Sequence, residues 1–113
     1  MALNDLGITY RLVGNHDKAT KALQKAHRSF RKLADPRTSQ LGQANTLNEL
    51  GIVENEKGRK SRRKEYHEDA ARILAEAQEL YLLVGDPIGI ANSAKNLGVA
   101  QHGSTSSTRP KTR

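Results

Sequence analysis

Apolar residues recur along this chain at intervals of three and four, and each run ends at turn chemistry. Residues 3–13 carry Leu3, Leu6, Ile8, Tyr10 and Val13 at largely helical spacing before Gly14-Asn15. Glycine suits a helix C-terminus and asparagine an N-cap, so one helix is predicted to stop there and another to start. The second is predicted from about His16 to Ala34, with Ala19, Ala22, Leu23, Ala26, Phe30 and Leu33 on one face. Two amphipathic helices joined this closely form an antiparallel hairpin. Asp35-Pro36 reads as an N-cap followed by proline at the first helical position, where its missing N–H costs nothing. A third helix is predicted from there to about Lys57, closed by Gly58. Ser61 is expected to cap a fourth over residues 62–84, whose stripe is Ala70, Ile73, Leu74, Ala77, Tyr81 and Val84. A fifth is predicted from Pro87 to about Gln101. Residues 1–102 then form one helical domain, and residues 103–113, with no apolar residue beyond Pro110, are expected to be a disordered, basic, Ser/Thr-rich tail.

These helices are copies of one another. Leu3-Asn4-Asp5-Leu6-Gly7-Ile8 returns as Leu47-Asn48-Glu49-Leu50-Gly51-Ile52 and, more loosely, as Ala94-Lys95-Asn96-Leu97-Gly98-Val99. Gly7 and Gly51 are 44 residues apart and Gly51 and Gly98 are 47 apart, a range that marks stacked supersecondary units. A shift of 51 residues lays Ala19, Leu23, Ala26, Phe30 and Asp35-Pro36 on Ala70, Leu74, Ala77, Tyr81 and Asp86-Pro87. The unequal offsets require two insertions. One adds seven residues between Gly51 and Ala70, around Gly58–Lys64, and the other adds four between Pro36 and Gly51. Four and seven residues are close to one and two helical turns, so both fit as longer helices that keep the same buried face.

A helix carrying Leu-x-x-Leu-Gly, a turn, and a second helix carrying Ala, Leu, Ala and Phe or Tyr at these intervals resembles the tetratricopeptide repeat, TPR. The first unit carries the resemblance on Leu6-Gly7, Tyr10, Ala19, Leu23, Ala26 and Phe30, and the second on Leu50-Gly51, Ala70, Leu74, Ala77 and Tyr81. A third supplies only its first helix, with Leu97-Gly98. The units exceed the common 34-residue length and are similar to the C-terminal TPR arrays of actinobacterial transcription regulators and signalling NTPases. The resemblance implies an all-α solenoid of about two and a half repeats and five helices, acting as a protein-interaction module in regulation. Since three repeats are usual for stability, it also implies either the end of a longer protein or a homodimer formed through the open N-terminal face.

Composition agrees with this picture. Aromatics are 4% of residues and the apolar share rests on Ala and Leu, which favour close-packed helices. The absence of cysteine excludes disulfides, a thiol nucleophile and thiolate metal sites. No apolar run is long enough to cross a bilayer and no signal peptide opens the chain, so a cytoplasmic protein without a membrane partner is expected.

Charge and the repeat register suggest where partners would bind. TPR arrays bind peptides on the surface formed by the first helix of each unit. By register that surface would comprise Asn4, Ile8, Arg11, Asn45, Asn48, Ile52, Asn55, Asn92, Lys95 and Val99. Asparagine suits the task because its amide both donates to and accepts from an extended backbone. The Lys and Asn pair with which some TPRs clamp a C-terminal carboxylate is missing, since Asn4 and Ile8 stand in those places in the first unit.

The net charge of +7 admits a second reading. Lys57, Arg59, Lys60, Arg62, Arg63 and Lys64 crowd a predicted loop, and Lys18, Lys21, Lys25, Arg28 and Lys32 form a basic stripe on the helix spanning 18–32. Together they would give salt-sensitive contact with nucleic acid or another anionic partner. The equivalent later helix is acidic (Glu65, Glu68, Asp69, Glu76, Glu79), which suggests head-to-tail charge complementarity within the stack or between chains. No catalytic residue, cofactor site or metal site is expected. His16 and His67 align under the 51-residue shift and read as structural, while His27 and His102 have no partner at ligand spacing.

Overall fold

The structure is a computed structural model that describes residues 2–108, with side chains through Thr105. Five α-helices follow in order: α1 (Leu3–Leu12), α2 (His16–Arg31), α3 (Pro36–Ser61), α4 (Lys64–Val84) and α5 (Pro87–Thr108). Each helix packs on the next in the chain, and the first helices of successive units also touch, α1 on α3 and α3 on α5. The result is an all-α, TPR-like solenoid, 55 × 28 × 18 Å, in which each hairpin meets only its neighbours.

The first junction and the start of α3 form as predicted. Gly14 takes φ +84° after α1, and Asn15 accepts a hydrogen bond from the Lys18 N–H at the start of α2. Asp35 caps α3 by accepting from the Thr38 N–H at 2.9 Å and from its hydroxyl at 2.6 Å. The Thr38 hydroxyl and N–H together hold the Asp35 carboxyl below its ordinary pKa.

At the third junction the prediction fails. Gly58 does not end α3; the helix continues to Ser61, and Arg62 takes the left-handed conformation at φ +61°. Gly58 serves close packing instead, because a Cβ there would lie 2.6 Å from His67 Nε2. Ser61 is not the N-cap of α4 either. That position falls to Arg63, whose side chain makes no capping bond, while the Ser61 hydroxyl donates back to the Lys57 carbonyl and accepts from the Arg63 N–H. The seven-residue insertion is thus spent on height: α3 runs well past Gly51 while α1 stops soon after Gly7, and α4 begins a turn further ahead of Ala70 than α2 does of Ala19.

Two other boundaries move. α2 ends at Arg31 rather than Ala34, and Leu33 is exposed instead of joining the stripe. α5 passes the predicted stop at Gln101 and reaches Thr108. Gly103 lets it pass close over the His67 ring, where a Cβ would sit 2.5 Å from Nδ1. The last part of the expected tail, 109–113, lies outside the described residues.

The core is built where repeated small residues meet large ones. A Cβ on Gly7 would come 2.5 Å from Leu23 Cγ, and one on Gly51 2.5 Å from Leu74 Cδ2, so each Leu-Gly phrase is the floor for the leucine of its own second helix. The sequence pattern also holds a second set that it did not announce. Gly42 lies under the Phe30 ring and Gly89 under the Tyr81 ring, which joins each hairpin to the next first helix. Leu23, Ala19, Ala44, Leu47, Leu50, Val53, Ala77 and Tyr81 form one buried cluster, and Ala70, Leu74 and Ala100 another. Burial, with Asp86 and Glu49 nearby, pushes the Tyr81 hydroxyl up to about 12, so it stays protonated and donates to Asn45.

Candidate interaction surface

The residues singled out by register divide into two groups. One group is consumed by the joints between repeats. Arg11 on α1 donates through Nε to Glu49 and through Nη1 to Glu56, both on α3 and both at 3.0 Å. One repeat later, at the position matching Arg11, Asn55 donates to the Asn96 carbonyl at 3.2 Å, and Asn96 matches Glu49. The same register position therefore ties first helix to first helix at both joints, once through the two ion pairs of Arg11 and once through a hydrogen bond from the Asn55 amide to a backbone carbonyl. Asn48 is buried and accepts from Asn96 Nδ2 at 3.1 Å. Asn48 and Asn55 are thus not open to a peptide, contrary to the register expectation, because the next helix already uses their amides. Asn4 is half-buried.

The histidines finish the clasp. His16 Nε2 lies 3.2 Å from Glu56 Oε1. Its counterpart His67 is buried, with Nδ1 3.1 Å from Asn55 Oδ1. Asn55 spends its Nδ2 on the Asn96 carbonyl, so its Oδ1 is left to accept from the Nδ1–H of His67. The ring lies between Gly58 of α3 and Gly103 of α5. Burial, and secondarily the charge of Arg59, holds His67 below its ordinary pKa of 6.5, and burial does the same to His27 on α2. Because the folded values are depressed, the unfolded chain binds the extra protons first as pH falls. Stability is therefore expected to be full above about pH 6.5 and to drop through the interval down to the folded pKa values. Urea midpoints measured between pH 7.5 and 5 should decrease, and His67→Gln should flatten the slope.

The second group remains available to a partner. Asn45 on α3 and Asn92, Lys95 and Val99 on α5 are exposed, with Ile8 and Ile52 half-buried beside them; the Asn45 Oδ1 already accepts from Tyr81, which leaves its Nδ2 to a partner. Ile8, Ile52 and Val99 match one another in register and place an apolar row across α1, α3 and α5. Asn45 and Asn92 match likewise and lie one turn or more toward the N-terminus of their helices. Gly98 differs from Gly7 and Gly51 in having nothing within 4 Å of a Cβ built on it, so the outer side of α5 is open.

The basic run is not a loop. Lys57 lies one turn before the end of α3, Arg59 and Lys60 lie in its last turn, Arg62 and Arg63 make the connection, and Lys64 begins α4. Lys57 is tied to Glu54 at 3.1 Å and sits over the Tyr66 ring, while Arg63 lies near Glu65 and the same ring. Arg59, Lys60, Arg62 and Lys64 are exposed. Among the described residues no group of three or more His, Asp or Glu is arranged to hold a metal ion, and no helix is long and apolar enough to cross a membrane.

Neither a curated protein nor a solved structure matches the chain. Residues 1–37, which hold α1, α2 and the start of α3, match the family model of the tetratricopeptide repeat, and the same pattern returns through the rest of this all-α repeat fold.

Proposed function

We propose that this chain is a protein-interaction module that binds a peptide or helix along α1, α3 and α5, as part of a regulatory protein. The observation that supports this reading is what the joints leave over: an apolar row, Ile8, Ile52 and Val99, bordered by the exposed amide of Asn92, the Nδ2 of Asn45 and the charge of Lys95. Such a strip offers burial for alternate side chains of a ligand and hydrogen bonds for its backbone. Tetratricopeptide repeats act as non-catalytic scaffolds for protein contacts, which agrees with this arrangement.

The test is a peptide selected from a displayed library against the wild-type chain. Asn92→Ala with Lys95→Glu should weaken its binding by about tenfold or more, roughly 1.4 kcal/mol, with the far-ultraviolet dichroism unchanged. Selected peptides that bind the double variant as tightly as the parent would remove this surface from the account.

A further inference from the structure

The two joints hold matching histidines in opposite electrostatic settings. At the first, His16 Nε2 lies 3.2 Å from Glu56 Oε1, so a proton taken up by that ring completes an ion pair. At the second, the His67 ring is walled by Gly58 of α3 and Gly103 of α5, and its Nδ1–H is given to Asn55. Nε2 is then the nitrogen that can take up a proton, and it abuts Gly58, where a Cβ would lie 2.6 Å away.

The charges around His67 offer an imidazolium no counterion. Its helix, α4, packs on α3 and α5. α3 sets Arg59 against the ring, and its three carboxylates are engaged elsewhere, Glu49 and Glu56 with Arg11 and Glu54 with Lys57. α5 contains no Asp or Glu, and its titratable side chains are Lys95 and, next to Gly103, His102. One turn before His67 come Arg63 and Lys64, and one turn after it Ala70 and Ala71; Glu68, beside it in sequence, is exposed. Burial and Arg59 accordingly hold the ring below its ordinary 6.5. The joint is therefore at full strength above about pH 6.5 and weakens as pH falls toward the folded pKa.

Asn55 couples the ring to α5. Its Oδ1 accepts from His67 and its Nδ2 donates to the Asn96 carbonyl, so a ring that leaves its slot also loosens the amide that holds α5. We infer that His67 is an acid-operated catch on the α3–α5 joint: a second proton on its ring expels it from between Gly58 and Gly103, releases α5 and, on the reading of α1, α3 and α5 as the binding face, withdraws Asn92, Lys95 and Val99 from a bound partner. The first joint keeps its ties, because Glu56 receives both Arg11 and His16. In a stack whose hairpins meet only their neighbours, the opening stays at the joint where it starts.

Hydrogen exchange of the full chain at about pH 7.5 and 5.5, expressed as protection factors, reads the joints separately. In the parent, α5 should lose about fivefold or more of its protection at the lower pH, while α1 and α2 change by less than about twofold. His67→Gln should abolish the pH dependence of α5. His27→Gln should keep it, since that histidine lies on α2, where Glu76 acts against its burial. Should His67→Gln fail to fold, the parent's own ring decides: its NMR titration midpoint should lie below 6.5 and coincide with the loss of α5 protection. Equal losses in all five helices, an α5 response that survives in His67→Gln, or a His67 midpoint at or above 6.5 would overturn the inference. An uncharged peptide from the same displayed library should bind the parent about fivefold more weakly at the lower pH and His67→Gln equally at both. Unchanged binding to a parent whose α5 has lost protection would overturn the withdrawal of the partner and the reading of α5 as part of the binding face, while the acid-operated joint stands.

Discussion

Leu74→Ala is expected to lower the unfolding free energy of the solenoid by about 2–5 kcal/mol, the largest effect of any single truncation in the second hairpin. Leu74 is fully buried, and its branched end rests on Gly51, where a Cβ would meet Cδ2 at 2.5 Å. It also joins Ala70 to Ala100 in the cluster that attaches α5. Truncation therefore leaves a cavity where α4 meets α3 and α5, with little in the backbone able to collapse into it. Gly51→Ala alone should also destabilise, by about 1–3 kcal/mol from overpacking, because the leucine has no exposed direction in which to move. In the Leu74→Ala background the same methyl enters the vacated space, so the double variant should be more stable than additivity allows. Gly98→Ala is the reference. Nothing lies near its missing Cβ, and the change should stabilise α5 by about 0.5–1 kcal/mol. Urea titrations followed at 222 nm separate all four cases, and a Gly98→Ala loss equal to that of Gly51→Ala would refute the packing account.

Asn55→Ala should cost about 1–3 kcal/mol, far more than an exposed asparagine. The residue is buried, donates to the Asn96 carbonyl and accepts from His67. Removing it leaves the His67 Nδ1–H unpaired in a region closed to water, where unpaired polar groups are most costly, and strips the Asn96 carbonyl of its second, inter-helix bond. The loss should be local to the α3–α5 joint. Hydrogen exchange is expected to quicken in α5 and at the end of α3 while α1 and α2 keep their protection, since repeat arrays open joint by joint. Asn92→Ala, exposed on α5, should leave stability within about 0.5 kcal/mol of the parent. Equal exchange rates throughout the chain in Asn55→Ala would show that the clasp is not a joint.

The hairpins could be read from the chain because their information is local. Asn15 and Asp35 cap through bonds to residues three positions on, Gly14 takes its positive φ, and the stripe around Ala19 and Leu23 is set by helical period alone. The third junction misled for an equally physical reason. A glycine at a predicted helix end has two uses, left-handed backbone or close approach, and only the position of His67 shows that Gly58 serves the second. Gly42 and Gly89 passed unnoticed because their partners, Phe30 and Tyr81, lie on the preceding helix and not on their own hairpin.

The exposure of the face proposed to meet a partner was legible in outline. Repeat register names the positions that share a face, and Asn45, Asn92, Lys95 and Val99 are indeed exposed there. It does not tell an asparagine that waits for a ligand from one already bonded to the next helix. Asn48 and Asn92 look alike in sequence; Asn48 is buried against Asn96 and Asn92 faces solvent. Arg11 and Asn55 stand at the same register position, and only their partners Glu49 and Asn96 reveal that both are clasps.

The most direct measurement is a ¹H–¹⁵N spectrum of the labelled chain titrated with a library-selected peptide. If a partner docks on this face, the largest shifts fall at Asn45, Ile52, Asn92, Lys95 and Val99, on α3 and α5, with smaller ones at Ile8. Shifts gathered instead on the second helices, at residues such as Arg28 and Glu79, with the α1–α3–α5 face unmoved, would contradict that docking.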